Sequence, residues 1–267
     1  GIASMNIPDN VTSIGDEAFS GCVESLFDMV TIPGVKLVDG WVVGFTEDIP
    51  ANLDLVGVRG IGDKAFYKDG QYDGPGLVNV TMSDSVVSIG DYAFWFCKGL
   101  KNVAIPDSVK TIGFSAFAVC NDPVNVLMFG KPSSDDALLG YNDVSVTYAI
   151  VSVLPAVGDY VLEGATKISA SCDVDGVVLL YTTDGSDPTI DSPVFSPFTV
   201  RTSLTVKIGA FYHGVRMAVK TTRFWLGEVQ PLQISVNGNL SFTGDQSRRV
   251  TINCGTAEAN VRYTLDG

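Results

Sequence analysis

Apolar residues recur along the first half of the chain in a fixed order of short steps. Leu100, Val103 and Ile105 alternate with polar positions, Pro106-Asp107-Ser108 breaks the run, and Val109 and Ile112 follow. Gly113, the pair Ala116-Phe117 and Cys120 close the unit. Moving back 23 residues reproduces the order as Leu77, Val80, Met82, Asp84, Ser85, Val86, Ile89, Gly90, Ala93, Phe94 and Cys97. Ile7-Pro-Asp-Asn-Val-Thr-Ser-Ile-Gly-Asp-Glu-Ala-Phe-Ser-Gly-Cys22 states it again. The Leu-x-x-Val-x-Ile alternation predicts a short strand, and Val-x-x-Ile predicts a second extended piece. Pro8 or Pro106 fixes φ in the intervening turn, and the following Asp supplies a local hydrogen bond. Gly15, Gly62, Gly90 and Gly113 are expected where φ is positive. Asp16, Asp63 and Asp91 stand where an N-cap would precede one helical turn.

Self-similarity at this period predicts a solenoid, in which no unit can bury its apolar side alone. The register gives five units, 2–26, 27–49, 50–76, 77–99 and 100–122, with Phe19, Phe66, Phe94 and Phe117 forming an internal spine. Two units depart from the pattern. In 27–49 the Gly-Asp-x-Ala-Phe step is replaced by two apolar runs around Asp39-Gly40, which predicts a hairpin. Unit 50–76 ends in an inserted loop, Tyr67 to Pro75. After Cys120 the strand step recurs at Val126 and Met128, and 123–150 is expected to cap the last coil. No cap precedes Ile2, where the register is already running, so a longer array is expected upstream.

From about Ile150 the pattern becomes strands separated by turns, which predicts a β-sandwich. A shift of 82 residues takes Cys172 to Cys254, Tyr181 to Tyr263 and Asp184-Gly185 to Asp266-Gly267. The expected organisation is therefore a solenoid with its cap over 1–149, a sandwich over 150–231, and the start of a second sandwich over 232–267.

Charge and composition narrow the function classes. A formal net charge of −13 excludes the basic surface that nucleic acid or an anionic membrane requires. No apolar run approaches the length of a membrane helix. The five cysteines form no close pairs. Cys22, Cys97 and Cys120 share one repeat position, which reads as a column of reduced core thiols, although a Cys97–Cys120 bridge between adjacent units is conceivable.

Candidate chemistry is sparse. Asp184, Asp187 and Asp191 crowd one loop that can chelate Ca²⁺ or simply be an Asp-Gly hairpin turn, and their spacing lacks the alternation of an EF-type loop. His213, the one histidine, has no Ser or Cys motif beside it for a triad. No catalytic, metal or cofactor-binding residue is assigned, and no cofactor is expected. Where other units carry small residues after the Ala-Phe step, unit 77–99 carries Trp95-Phe96. With Tyr92, Phe114 and the loop tyrosines Tyr67 and Tyr72, these make an adhesive edge, unless Trp95 or Phe96 fills the core or packs on the inserted loop. The outward strand positions Asn79, Asn102, Thr81 and Ala104 are small and weakly polar. The ligand-binding candidates are accordingly Tyr67, Tyr72, Trp95 and Phe96.

The motif Ile-Pro-Asp-Ser-Val-x-x-Ile-Gly-x-x-Ala-Phe-x-x-Cys resembles the BspA-type leucine-rich repeats. Cys172-x8-Tyr181-Thr-Thr-Asp-Gly-Ser-Asp-Pro-Thr189 resembles the immunoglobulin-like domain at the C-terminus of chitobiases and β-hexosaminidases. The resemblances imply a mainly β fold: a leucine-rich-repeat solenoid with short helical turns, an immunoglobulin-like β-sandwich and part of a second. They also imply a secreted or cell-surface bacterial protein, with an extracellular protein or glycan as ligand, no nucleic acid and no membrane insertion within this chain. In the second family hydrolysis belongs to a separate domain. The alternative is an accessory region of a secreted glycan-active enzyme. The chain is expected not to hydrolyse chitobiose-type or aryl glycosides; turnover abolished by changing one of its acidic residues would overturn this reading.

Overall fold

The computed structural model describes residues 4–67, 70, 74–120, 123–132, 144–162 and 164–226, and the strands 233–236 and 250–253. Its first half is a coil of repeated legs. The strands are β1 (Val35–Val38), β2 (Trp41–Phe45), β3 (Asn52–Leu55), β4 (Gly60–Ile61), β5 (Asn79–Met82), β6 (Ser88–Ile89), β7 (Asn102–Ile105), β8 (Thr111–Ile112), β9 (Val124–Met128) and β10 (Val144–Tyr148). The Leu-x-x-Val-x-Ile steps form one parallel sheet, β3-β5-β7-β9-β10. The Val-x-x-Ile steps form a second, in which β2, β4, β6 and β8 are parallel and β1 pairs antiparallel with β2.

The third leg is the Gly-Asp-x-Ala-Phe step, and it differs from the expected helical turn. Among the described residues the only helical element is a 3-10 turn, Glu24–Leu26. In the step itself every second backbone N–H donates to the next coil instead of along its own: Lys64 to Asp91, Phe66 to Ala93, Tyr92 to Phe114, Phe94 to Ala116 and Phe96 to Ala118. Asp63 and Asp91 do not cap their own turns. Asp63 Oδ1 accepts from the Asp91 N–H at 2.8 Å, and Asp91 Oδ1 from the Phe114 N–H at 2.7 Å. The preceding glycines are present for room rather than for positive φ. A Cβ on Gly90 would lie 2.5 Å from Asp63 Oδ1, and one on Gly113 would lie 2.4 Å from the Asp91 nitrogen. Positive φ falls two positions past the Gly, at Glu17, Lys64, Tyr92 and Ser115.

Inside the coil, equivalent side chains stack. Phe66, Phe94 and Phe117 lie nearly parallel, with centroids 4.8 and 5.1 Å apart, and belong to one core with Ile61, Ile89 and Ile112. Phe19 is not in this spine. It is half-buried in a separate cluster around Trp41, Ile7, Leu26 and Val38, and Phe45 heads the column instead, 6.4 Å from Phe66. The reason is the irregular unit 27–49, whose hairpin turns through Asp39 and Gly40 at φ 47° and 78° as the sequence predicts. That unit supplies no third leg. Coil one therefore reaches past it, with the Asp63 N–H donating to the Ile14 carbonyl and Lys64 pairing with Asp16 at 2.5 Å. The missing leg leaves a groove of about 730 Å³ between Gly15–Cys22 and Gly62–Tyr67.

The thiol column is likewise incomplete at its start. Cys97 is buried and Cys120 half-buried, their thiols donating to the carbonyls of Phe66 and Phe94, whereas Cys22 is exposed on the loosely packed first coil. Burial, and then the neighbouring Cys120, push the Cys97 thiol well above its usual range. The four described cysteines are free; Cys254 lies outside the described residues.

Beyond Cys120 the solenoid sheet gains two strands, β9 and β10. β10 adds a fifth rung in register with β9, Val144 opposite Val124, within the stretch expected only to cap the coil. The sandwich follows as β11 (Val151–Leu154), β12 (Gly158–Leu162), β13 (Thr166–Cys172), β14 (Val177–Thr182), β15 (Phe198–Val200), β16 (Leu204–Tyr212) and β17 (Val215–Leu226). Sheets β11-β13-β15 and β12-β17-β16-β14 face each other across Val153, Ile168, Val200, Val206, Ile208 and Phe224. Two further strands, β18 (Gln233–Val236) and β19 (Val250–Asn253), pair antiparallel. β18 begins 82 residues after β11, and its partner covers the counterpart of β13, as the internal repeat requires.

Phe94 is fully buried at the middle of the spine. Phe94→Ala is expected to lower the stability of the chain by about 3–5 kcal/mol in urea melts. A loss well below 1 kcal/mol would show that the inward face is misassigned.

Candidate functional site

The edge of the solenoid beside the inserted loop carries a continuous run of aromatic rings. Tyr67 lies 4.7 Å from Trp95 and 6.1 Å from Phe96, and Trp95 lies 4.8 Å from Phe96. Tyr92 continues the run, 5.3 Å from Trp95 and 5.6 Å edge-on from Phe114. Phe114 is 55% exposed, and the other four are half-buried. Neither Trp95 nor Phe96 enters the core, because Phe94 between the turn's two arms takes the inward position and Cys97 the next. The chain returning from the insertion packs on this edge: a Cβ on Gly74 would lie 2.4 Å from the Phe96 carbonyl oxygen. Three of the four expected residues, Tyr67, Trp95 and Phe96, are thus brought together. Tyr72 lies outside the described residues.

The sheet face is not free along its whole length. The sandwich packs on its second outward row, where Ala104 is 4% and Thr81 is 8% exposed. Ala104, Phe129 and Ala149 on the solenoid meet Ala210, Val215, Met217 and Ala218 on β16 and β17. Small side chains on both surfaces let the two backbones approach. Polar contacts from the repeat turns complete the joint. Backbone N–H groups of Asp84 and Asp107 donate to the carbonyls of Arg216 and Met217 at 3.1 and 3.0 Å. Their carboxylates pair with Arg216 at 2.5 Å and Lys220 at 3.4 Å. The sequence carried this signal in Asp84 and Asp107, equivalent residues 23 positions apart, but nothing local tells that basic residues of the sandwich answer them.

The Asp184–Asp191 loop is tied into the same joint. Asp184 Oδ1 accepts from the Ser186 hydroxyl and N–H at 2.6 and 2.9 Å, which hold its carboxyl below the usual range. Asp187 pairs with Lys207 at 2.6 Å, which lowers it too, and approaches Arg216 at 3.7 Å. Arg216 also donates to the Pro188 carbonyl at 3.1 Å. Among the described residues no group of three His, Cys, Asp or Glu side chains is arranged to hold a metal.

Residues 1–38 and 59–128 match the BspA type leucine rich repeat region in six copies, and residues 155–221 match the chitobiase/beta-hexosaminidase C-terminal domain. The solenoid is therefore a BspA-type leucine-rich repeat array, and the sandwich carries a chitobiase/β-hexosaminidase C-terminal-type domain. Neither a curated protein nor a solved structure matches the chain. The pair of segments marks a surface or glycan-related protein, and the first is typical of bacterial surface proteins. No helix among the described residues is long and apolar enough to cross a membrane.

The joint has a pH signature. Burial is the main cause of a raised Asp107 carboxyl, outweighing the opposing pull of Lys220. A carboxyl raised on folding contributes stability that is present below its unfolded value and is lost as pH rises through the folded one. Asp107→Asn, which resembles the protonated form, is expected to match the unmodified chain near about pH 3 and to be the more stable by pH 7. Urea midpoints at both pH values measure this; a variant weaker at pH 7 would show that the Lys220 pair outweighs burial.

Proposed function

We propose that this chain is a non-catalytic binding segment of a secreted bacterial surface protein, in which the solenoid adheres to an extracellular protein or glycan and the sandwich positions it. The observation that carries this reading is the aromatic edge. Five rings on adjacent coils, none fully buried, are held by tilted and edge-on contacts with one another and by a backbone ladder between coils. Such rings offer large contact area with few rotatable bonds to immobilise, the property that concentrates binding energy in Trp and Tyr.

A second reading, an accessory region of a secreted glycan-active enzyme that is catalytic outside these residues, is favoured by the match over 155–221. Binding of the labelled chain to immobilised mucin and collagen, before and after enzymatic deglycosylation, tests the first. The double variant Trp95→Ala, Phe96→Ala is expected to lose at least tenfold in affinity, about 1.4 kcal/mol or more, with its melting curve preserved. Unchanged binding in a folded double variant would remove the edge from the site.

A further inference from the structure

The first outward row of the solenoid sheet is a ladder of asparagines. Asn52, Asn79, Asn102 and Asn125 stand opposite one another in register on β3, β5, β7 and β9. The Nδ2 of Asn79, Asn102 and Asn125 donates to the Oδ1 of the preceding coil, at 2.6, 2.7 and 3.1 Å in turn. A side-chain amide has two N–H donors and two oxygen lone pairs. Asn79 and Asn102 use one of each on their neighbours, which leaves one donor and one acceptor apiece facing outward. The ladder fixes these amides before any ligand arrives, so little rotamer freedom remains to be lost on binding.

The row is the floor of a cleft of about 630 Å³, within the ~300–1,000 Å³ typical of ligand sites. The docked sandwich is its wall. The turn between β16 and β17 brings Tyr212 and the exposed His213 over the row, with Tyr212 held between Phe129 at 6.4 Å and the edge-on His213 ring at 4.3 Å. Val174 and Thr147 complete the rim.

We infer that this cleft binds an extended, neutral oligosaccharide, one pyranose unit to each asparagine rung. Paired donors and acceptors on a floor, with aromatic rings along one side, match a ligand that is polar at its rim and apolar on its ring faces. The charge of the cleft selects neutrality. Among the described residues lining it there is no Lys or Arg and a single carboxylate, Asp54, so a polyanion finds no counter-charge on a chain of net −13. The spacing selects a glycan over a peptide. Adjacent strands repeat at about 4.8 Å, so two rungs span about 9.6 Å, close to the two-ring distance after which an extended β-1,4-linked chain presents the same face, whereas an extended peptide repeats a face about every 6.8 Å, which matches no whole number of rungs. This site is on a different face from the aromatic edge and does not depend on it.

The test is an isotope-labelled NMR titration of the 267-residue chain with cellohexaose, N-acetylchitohexaose, xylohexaose and mannohexaose, and with hexagalacturonate as the anionic contrast. Saturable shifts of the Asn79, Asn102 and Asn125 side-chain amides with at least one neutral hexasaccharide are expected in the unmodified chain. Tyr212→Ala and Asn102→Leu are each expected to weaken that binding at least tenfold, and Trp95→Ala to leave it unchanged. The proposal is overturned if no neutral hexasaccharide shifts these amides, if only hexagalacturonate does, or if both cleft variants retain full affinity. Loss in Trp95→Ala alone would also overturn it, by moving the sugar to the edge. The amide shifts are read on the unmodified chain, so they stand whether or not a variant folds.

Discussion

Everything in the solenoid depends on one coil lying flush on the next. A single coil offers one phenylalanine, a few aliphatic side chains and two strands of at most a few residues, too little to offset the entropy of ordering it. Stacking supplies the rest in three directions at once. Two parallel ladders join the strand legs, alternate N–H groups join the turn legs, and the Phe66–Phe94–Phe117 column fills the middle. The same requirement explains two of the glycines before the turns, because Gly90 and Gly113 sit where the previous coil's Asp must pass. Where a leg is missing, in 27–49, the column breaks, Phe45 substitutes for a turn phenylalanine, and a groove opens.

The stacking also multiplies whatever a repeat position presents to the outside. One Asp in the strand-connecting turn becomes the pair Asp84 and Asp107, spaced to meet Arg216 and Lys220 on one strand of the sandwich. One small outward residue becomes the strip on which β16 and β17 settle. The sandwich is in consequence seated on the solenoid sheet and shapes its surface, burying Thr81 and Ala104 of the second outward row and leaving the asparagine row open beside its hairpin tip. The joint combines an apolar patch with half-exposed ion pairs, which individually add little and mainly fix orientation.

Two surfaces of different character follow. The aromatic edge is made by the units that depart from the repeat, through Trp95-Phe96 and the loop that begins at Tyr67. It is aromatic and partly exposed, with Phe114 the most open of its rings. The cleft is made by a position at which four coils agree, and it is narrow, polar and uncharged apart from Asp54. Deviation builds the first and repetition the second, so substitutions can test them separately.

The coil is legible in the amino-acid pattern alone. Period, strand steps, inward phenylalanines, the Asp39-Gly40 hairpin and the change to a sandwich near Ile150 all follow from local pattern, because stacking forces equivalent residues into equivalent places. The aromatic candidates were legible for the same reason, as departures at a known position. Of the asparagine row only Asn79 and Asn102 were read from the sequence, as outward small polar residues; that Asn52 and Asn125 extend them into a bonded ladder came from the structure. Other features were decided only by tertiary structure. Whether a Gly-Asp-x-Ala-Phe step bonds wholly along itself or partly across to its neighbour depends on how close the neighbour lies, and alternate N–H groups cross. Whether Phe19 and Cys22 are inside depends on a leg absent from the adjacent unit. That the sandwich closes over Ala104 and makes a wall of Tyr212 and His213 depends on Asp84 and Arg216, 132 residues apart, and no pattern within either repeat records that meeting.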